Sequence, residues 1–330
     1  MASYYDIYGF VIKIDGTAES SFQREYWRFE SCLGEILPID LEITQVEKVE
    51  EQCKMSPTAS LKGLWIDFKA KKVYYEKGLS GDFVLYYTEP LIQWPDKILL
   101  HAGAVEKDGK AYLFPASGGV GKTAMVTELS KRGYKYLADD WVIVGTDGMA
   151  YPLLKTIHMF DYNLSDITIA KKILGWKRIP YKLFFTCVNF CLHHIKNRTV
   201  RFILGKLQKT FNVDILKLFA EVGKPAKIDK VFWLIKDKEL VVVNTNSSKL
   251  SALMPYVINY EHNHFLKEYQ RYAYYYGQVD YIENRNQKIR DILRSATENA
   301  EVYGVYVPDK INPQAVVEKL INLGALPKGE

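Results

Sequence analysis

A glycine-rich segment near the middle of the chain has the composition of a phosphate-binding loop. It runs Ser117, Gly118, Gly119, Val120, Gly121, Lys122, Thr123. The three glycines let backbone N–H groups approach phosphate oxygens, because glycine has no Cβ and accepts unusual φ values. In such a loop the lysine lies between the β- and γ-phosphates, and the threonine hydroxyl ligates Mg²⁺. The segment therefore predicts a site for the phosphates of a nucleotide.

The elements around this loop are those that a phosphate site requires. Two apolar runs flank the turn dipeptide Asp108-Gly109, which predicts a β-hairpin whose second strand enters the loop. A helix is predicted from Thr123 to a stop at Gly133, and its N-terminal partial charge favours an anion. Ala116 replaces the first glycine of the general pattern G-x4-G-K-[ST]. The prediction therefore depends on the order of strand, loop and helix as well as on the motif.

Two adjacent carboxylates follow the next predicted strand. Asp139 and Asp140 come directly after the run Tyr-Lys-Tyr-Leu-Ala. A carboxylate at a strand end beside a phosphate loop is suited to hold Mg²⁺, and a carboxylate can also accept a proton. Adjacent strand residues point to opposite faces, so both aspartates can serve the site only if the strand ends there. His101, on the partner strand of the hairpin, is a third candidate, although a lone histidine is more often a core residue.

These residues together resemble HPr kinase/phosphorylase and its related kinases. The family pattern is a histidine-bearing strand, then G-x-S-G-x-G-K-[ST], then R-G-[HY]-x4-D-D. His101, the loop, Arg132-Gly133-Tyr134 and the aspartate pair match its order and spacing over about forty residues. The run Leu-His-Ala-Gly-Ala-Val around His101 is similar to the divergent branch that acts on small molecules or peptides. The resemblance implies a phosphoenolpyruvate carboxykinase/HPr kinase-like nucleotide-binding core.

The resemblance also implies a role for each matched residue. The loop from Ser117 to Lys122 would cradle the phosphates of ATP or ADP, and Lys122 would assist transfer. Thr123 and Asp139 would hold Mg²⁺. Asp140 would be the general base that accepts the proton of an acceptor hydroxyl, and His101 would lie beside the transferring phosphoryl group. The sequence leaves open which aspartate is the base and which holds the metal.

One part of the family pattern is missing. The HPr-specific run L-E-x-R-G after the second aspartate is absent, which argues against HPr as the substrate and against the phosphorylase reaction. Residues 151–160 stand in its place, and Lys155 or His158 could approach the substrate there. The implied enzyme is a Mg-dependent kinase with an alcohol acceptor. Its acceptor would be a small molecule such as free serine, or a peptide Ser/Thr.

The charge is unevenly distributed along the chain. The net charge is +5, but residues 171–230 carry 14 Lys and Arg against 3 Asp and Glu, a net of +11. This block, with Arg198 and Arg201, predicts binding of an anionic acceptor, unless it is simply a solvated face. The alternative is a nucleotide-hydrolysing module that holds nucleic acid through the basic block. That alternative predicts a steep loss of binding with salt, but no nucleic-acid motif accompanies the block.

The expected fold class is α/β (α+β), in four parts. Residues 1–90 form a β-rich part, 91–164 the P-loop kinase core, 165–225 a helical basic insertion and 226–330 the remaining core. Strands are predicted at 64–69, 72–76, 83–87, 230–235, 240–244 and 301–307. Helices are predicted at 261–276, at 286–299 and after Asn312. A buried helical stripe is predicted at Leu207, Phe211, Ile215, Leu218 and Val222.

Composition sets the remaining expectations. Hydrophobic residues make up 48% of the chain and charged residues 25%, which is typical of a soluble globular protein. No apolar run reaches the roughly 20 residues of a membrane span, and no signal peptide is recognisable, so a cytoplasmic location is expected. The four cysteines are too few and too scattered for a disulfide framework. Kinases of the HPr type are hexameric, so the resemblance makes a homo-oligomer possible.

Overall fold

The chain folds into two compact units. The structure, a computed structural model, describes residues 2–31, 38–49, 63–68, 70–159, 171, 174–175, 178–194, 197, 200, 211–219, 221–277, 280–309 and 312–328. One unit contains residues 1–154 and 223–330, and the other contains residues 155–222. The architecture is mixed α/β, with two mixed sheets in the larger unit. Within the described ranges, no helix combines the length and the apolar character needed to cross a bilayer.

Strands and helices are numbered here in chain order. The strands are β1 (Ser3–Ile7), β2 (Phe10–Asp15), β3 (Leu41–Val46), β4 (Leu64–Asp67), β5 (Lys72–Glu76), β6 (Lys97–Lys107), β7 (Lys110–Pro115), β8 (Lys135–Ala138), β9 (Trp141–Gly145), β10 (Met149–Tyr151), β11 (Ile157–Met159), β12 (Phe211–Val213), β13 (Ala226–Lys236), β14 (Val241–Thr245) and β15 (Glu301–Val307). The helices are α1 (Glu19–Tyr26), α2 (Gly81–Thr88), α3 (Lys122–Ser130), α4 (Arg178–His194), α5 (Ile215–Leu218), α6 (Ser247–Glu261), α7 (Asn263–Tyr276), α8 (Asp280–Ala296) and α9 (Pro313–Asn322).

The N-terminal sheet is built on three parallel strands. Its strand order is β1-β2-β3-β5-β4, and the two edge strands β1 and β4 run antiparallel to their neighbours. Alternate side chains along the strands are buried, as Ile12 and Ile14 of β2 and Ile43 of β3 illustrate. Strands β4 and β5 lie in the segments predicted to be strands. This sheet and its helices enclose one side of the hydrophobic core.

The predicted strand at 83–87 is wrong, because this segment lies in helix α2. Ser80 precedes the helix in an extended conformation, and Asp82 lies in the first turn, where the helix dipole favours a carboxylate. Val84, Leu85 and Thr88 are buried, which is the spacing of one helical face. Five consecutive apolar and aromatic residues fit a strand or a buried helix equally well by periodicity. In the structure this segment packs against α1 as a helix.

The central sheet has the order β10-β9-β6-β7-β13-β15-β14, and β8 also pairs with β6. Strands β7, β13 and β15 are parallel, and the other pairs are antiparallel. The hairpin of β6 and β7 turns at Asp108 and Gly109, both with positive φ, as a type I′ turn requires. Strands β13, β14 and β15 occur where the sequence predicts them. Most of β6 and β7 is buried, as expected for strands covered on both faces.

Helix α3 lies directly against β6 at a glycine. A Cβ on Gly103 would approach Val126 Cγ2 to 2.8 Å and Lys122 Cβ to 3.4 Å. No real Cβ makes the first of these contacts, so glycine is required for this close approach. Val126 and Leu129 of α3 are fully buried, as predicted from their spacing, and Gly133 ends the helical segment with a φ of +80°. The hairpin and helix therefore hold the loop between two buried elements.

Helix α6 is an element that the sequence patterns did not predict. The Asn246 side chain accepts a hydrogen bond from Lys249 N and caps the helix, but Pro255 lies in its interior and obscures the pattern. Helices α6 and α8 pack on one another and on β6. The predicted helices at 261–276 and 286–299 correspond to α7 and α8, and α9 begins after its Asn312 cap as predicted. Helix α6 ends beside the glycine-rich loop, where its last residue, Glu261, contacts Gly118.

The described residues of the smaller unit form a two-stranded sheet as well as helices. Strand β12 pairs antiparallel with β11, so Phe211 lies in a strand rather than in a buried helical stripe. Helix α5 is a single turn, capped by the Asp214 side chain, and it contains Ile215 and Leu218 of that stripe. Leu207 lies outside the described residues. The longest described element of this unit is α4, and its Leu183, Phe184 and Phe190 are exposed. The prediction of one continuous helical stripe is therefore wrong, because residues 211–213 form a strand.

Candidate functional site

The glycine-rich loop connects β7 to α3 with the conformations that its glycines allow. Gly119 has a φ of +72° and Gly121 a φ of +118°, both in the region that side chains disfavour. Gly118 and Gly119 are exposed, so this part of the loop faces solvent. Ala116 is fully buried, and it is not among the described non-glycine residues with positive φ. The missing first glycine is therefore compatible with this loop conformation.

Strand β6 brings the three parts of the site together. It lies between β7, which enters the loop, and β8 and β9, which flank the aspartate pair. Ala116 N donates to His101 O at 3.3 Å, and Ala102 N donates to Asp140 O at 3.1 Å. Backbone hydrogen bonds from adjacent residues of one strand thus fix both the start of the loop and the acid pair. The loop, the histidine and the aspartates meet at one end of the sheet.

Lys122 is folded back beneath the loop. Its Nζ lies 3.3 Å from Ser117 O and 3.4 Å from Ala116 O, and the residue is only 6% exposed. Burial lowers the pKa of this ammonium group, and the negative charges of Asp140, Asp139 and Glu261 oppose that shift. The carbonyl contacts hold the ammonium group on the inner side of the loop. An anion bound by the loop amides would gain a buried positive charge there.

Asp139 faces the helix that follows the loop. Its Oδ2 accepts a hydrogen bond from Thr123 Oγ1 at 2.9 Å, and its buried Oδ1 has no hydrogen-bond partner among the described residues. Burial, with a further contribution from the charge of Asp140, raises the pKa of Asp139 to about 7. A buried carboxylate with one unused oxygen, next to a threonine hydroxyl, fits the oxygen ligands that Mg²⁺ prefers.

The Asp140 side chain lies beside the histidine. Its Oδ1 lies 2.9 Å from His101 Nε2, where an Nε2–H would donate to the carboxylate. The Asp140 side chain is 68% exposed, whereas His101 is 3% exposed. Strand β8 ends at Ala138 and β9 begins at Trp141, so the pair lies between strands and the alternation rule no longer separates the two aspartates. One carboxylate is therefore buried near Thr123 and the other is accessible near His101.

Glu261 is a site residue that the sequence analysis missed. Its Oε1 accepts a hydrogen bond from Gly118 N at 2.8 Å and lies 3.7 Å from His101 Nδ1. A carboxylate therefore occupies one of the loop amides that a phosphate would use. Glu261 is the last residue of α6 and is separated from Gly118 by 143 positions. No motif could reveal it, because its contact depends on how an unpredicted helix packs.

Two aromatic rings pack in a layer next to His101. The Trp141 ring lies 4.9 Å from the His101 ring and stacks on the His262 ring at 4.5 Å. His262 is 5% exposed, and its Nδ1 accepts a hydrogen bond from Arg285 Nη2 at 2.9 Å. This stack limits the freedom of the His101 ring, and so it positions the hydrogen bond to Asp140.

The ten site residues predicted from the sequence all lie in the larger unit, within the segment that runs from His101 to Asp140. Lys155 belongs to the smaller unit, and the His158 side chain lies outside the described residues, as do Arg198 and Arg201. Comparison with protein-family models and with curated proteins finds no match to this chain. The resemblance to HPr kinase-related proteins thus rests on the motifs of residues 101–140, and family membership stays a prediction.

The raised pKa of Asp139 predicts a pH-dependent stability of the metal-free protein. An unfolded aspartate ionises near its ordinary value of 3.8, whereas folded Asp139 keeps its proton until about 7. Its contribution to stability is fully present below the unfolded value and is lost as the pH rises through the folded value. Between these two pKa values the free energy of unfolding falls by about 1.4 kcal/mol per pH unit. Denaturant unfolding at several pH values, in the presence of a chelator, should show this decrease in the free energy of unfolding.

Asp139→Asn supplies the comparison for this measurement. Its side chain does not titrate, so the variant should gain stability relative to the unchanged protein as the pH rises from about 4 to about 7. In the unchanged protein the Thr123 hydrogen bond lowers the pKa of Asp139, and that effect is already contained in the folded value, whereas in the variant any contact with Thr123 is independent of pH. A difference in stability that is constant across this range would contradict the raised pKa.

Proposed function

We propose that this protein is a Mg²⁺-dependent kinase that transfers a phosphoryl group from ATP or ADP to a hydroxyl group. The observation that carries the proposal is that the two adjacent aspartates lie in different surroundings. Asp139 is buried beside Thr123, and Asp140 is exposed beside His101. A phosphate loop that only binds needs no second, accessible carboxylate. A transferase needs one, because the acceptor hydroxyl has to lose its proton.

The loop would hold the donor nucleotide through backbone amides. Gly118 and Gly119 are exposed, and Lys122 lies beneath them with its ammonium group fixed by two carbonyls. The amides, the N-terminus of α3 and the lysine would all face the negatively charged phosphates. Because these groups are already in position, little reorganisation is needed when charge shifts during transfer.

The metal would be held by Thr123 and Asp139. The hydroxyl and the unused carboxylate oxygen of Asp139 provide oxygen ligands on one side, and nucleotide phosphates would complete the coordination. Within the described residues no group of three or more His, Cys, Asp or Glu forms a protein-only metal site. Mg²⁺ is commonly bound by one or two carboxylates together with substrate phosphates, and it would neutralise charge on the transferring group.

Asp140 would act as the general base. The acceptor hydroxyl would give its proton to the carboxylate, its oxygen would form the bond to phosphorus, and the bond to the leaving nucleotide would break. His101 holds the carboxylate at 2.9 Å and is itself packed against Trp141, so the base has a defined direction. The core would be of the phosphoenolpyruvate carboxykinase/HPr kinase-like type, as the motif order of residues 101–140 suggests.

The acceptor is proposed to be an anionic small molecule or a peptide Ser/Thr. The basic block of residues 171–230, with its net charge of +11, would attract such an acceptor. Free serine is one example of a small hydroxyl-bearing substrate. The absence of the L-E-x-R-G run argues against HPr as the acceptor.

A labelling experiment tests the proposal. The full chain is incubated with Mg²⁺ and γ-labelled ATP, or β-labelled ADP in a parallel arm, together with a pool of cell metabolites and Ser/Thr peptides. Label in a phosphorylated acceptor is expected, and it should disappear when Mg²⁺ is chelated. Label found only as free phosphate would overturn the kinase proposal and favour the nucleotide-hydrolysing alternative.

Glu261→Gln is expected to tighten nucleotide binding. The carboxylate competes with phosphate for Gly118 N, and its negative charge repels the incoming phosphates, whereas glutamine keeps the shape without the charge. Removing one such repulsion should lower the nucleotide dissociation constant by about threefold to tenfold. Glu283→Gln is the matched control, because Glu283 is exposed on α8. Weaker nucleotide binding by the Glu261 variant alone would mean that this carboxylate helps to hold the nucleotide instead of competing with it.

A further inference from the structure

A second concave site lies in the larger unit, outside the proposed catalytic residues. It is a solvent-open cleft, bounded by the segment before β6, the start of β6 and α8. One part of its wall is apolar and consists of Pro90, Ile92, Ile98, Leu99 and Ile289. The other part is polar and consists of Gln93, Lys97, His262, Arg285 and Lys288. None of these residues belongs to the loop, the aspartate pair or His101.

The polar wall carries an excess of positive charge. Three cationic side chains line the cleft, and no aspartate or glutamate lines it. Lys97 is paired with Asp96 at 2.8 Å, and the Asp96 side chain is 54% exposed. Lys288 donates to the carbonyl of Trp94, which is a neutral partner. Within the described part of the chain, neither Lys288 nor Arg285 forms an ion pair with a carboxylate.

Arg285 is held in place by neutral groups. Its Nη1 donates to Asn259 Oδ1 at 2.6 Å and its Nη2 donates to His262 Nδ1 at 2.9 Å. Asn259 is fixed in turn by Asn286, whose Oδ1 accepts from Asn259 Nδ2 at 2.9 Å. Burial lowers the pKa of Arg285, and burial together with the charge of Lys71 lowers the pKa of Lys288. A pre-positioned guanidinium in poorly solvated surroundings without a carboxylate is costly unless an anion binds it.

We propose that this cleft binds a small organic anion, in which a carboxylate or phosphate group is attached to a short apolar body. The anionic group would bind between Arg285, Lys288 and Lys97. Arginine suits either group, because its planar donors match two oxygens at once. The apolar body would lie against Ile92, Ile98 and Ile289, where it buries surface without new polar groups. The cleft does not depend on phosphotransfer, so the two proposals can fail separately.

The test is a titration of the full chain, without nucleotide, by calorimetry or by the shift in thermal unfolding. The probes are benzoate and phenyl phosphate. Benzyl alcohol is the uncharged control, and inorganic phosphate is the control that lacks an apolar group. Saturable binding of at least one aromatic anion is expected, and the alcohol should not bind. Comparison of benzoate with phenyl phosphate decides between a carboxylate and a phosphate ligand.

Substitutions inside and outside the cleft show whether the probe binds there. Arg285→Gln should weaken binding by about tenfold, the effect of one lost charge-assisted hydrogen bond. Lys288→Met should act in the same direction, and it replaces Arg285→Gln if that variant fails to fold. Arg290→Gln, on the same helix but outside the cleft, is the control and should bind normally. Binding that Lys122→Ala abolishes and Lys288→Met leaves intact would belong to the phosphate loop and would overturn the proposal, as would the absence of saturable binding.

Discussion

Lys122→Ala is expected to lower phosphotransfer by about a thousandfold, the size of effect seen when a charged group that stabilises a phosphoryl transition state is removed. Lys122 is only 6% exposed, and the carbonyls of Ala116 and Ser117 hold its ammonium group in one position beneath the loop. Nucleotide affinity should fall as well, because the lysine would also contact the phosphates of the bound nucleotide before transfer. Steady-state phosphotransfer and calorimetric nucleotide binding measure the two effects.

Two further variants separate charge from packing at this position. Lys122→Met keeps most of the buried stem and should lose as much activity as Lys122→Ala, because the charge is what matters. Lys131→Ala removes a lysine near the end of the same helix whose side chain is 44% exposed, and it should be close to unchanged. Full activity in Lys122→Met would contradict the proposed role of the loop in phosphoryl transfer.

Asp140→Asn is expected to lower kcat by about a hundredfold to ten-thousandfold while leaving nucleotide binding close to normal. Asparagine retains the shape and can still accept a hydrogen bond from His101, but it cannot take a proton from the acceptor hydroxyl. The side chain is 68% exposed and faces the histidine, so its loss should disturb the phosphate loop little. Rapid-quench kinetics with labelled nucleotide would measure the chemical step directly.

The same substitution at Asp139 should give the opposite pattern. Asp139→Asn removes the carboxylate beside Thr123, so binding of nucleotide should lose its dependence on Mg²⁺. Asp237→Asn, in an exposed turn, controls for the loss of a negative charge in general. If Asp140→Asn lost metal-dependent binding and Asp139→Asn lost only kcat, the two roles would have to be exchanged. Near-normal turnover of Asp140→Asn would remove it as the base.

The proximity of Glu261 to the loop bears on how these variants should be interpreted. In the structure its carboxylate accepts from Gly118 N and lies 3.7 Å from His101 Nδ1, and its charge, with those of Asp139 and Asp140, acts on Lys122. Burial, and after it the negative charge of Asp140, raises the pKa of Asp139. Bound nucleotide phosphates would have to replace Glu261 at the loop amide. Variants of Glu261 should therefore change affinity more than the chemical step.

The segment from His101 to Asp140 could be predicted from the sequence because its interactions are local. A hairpin, a glycine-rich loop, a helix and a strand follow one another, and each is fixed by short-range features such as Asp108-Gly109, the loop glycines and Gly133. The backbone bonds that join His101 to Ala116 and Ala102 to Asp140 follow from the pairing of neighbouring strands. Residue types and spacing were therefore sufficient for the candidate loop, the histidine and the aspartate pair.

Other features were decided only by the tertiary structure. Residues 83–87 fit a strand or a helix by pattern, and their packing against α1 made them a helix. Phe211 fits a helical stripe, but pairing with β11 placed it in a strand. Neither choice could be made from local sequence, because the partners lie far away in the chain.

The sequence alone determined which groups could perform chemistry, whereas the fold determined what surrounds them. Asp139 and Asp140 are identical neighbours in the sequence, and only burial beside Thr123 and exposure beside His101 give them different environments. Glu261 reached the loop across 143 positions through the packing of α6. The cationic cleft likewise combines β6 with α8. Desolvation and charge depend on distance in space, and for these groups distance in space is set by tertiary packing.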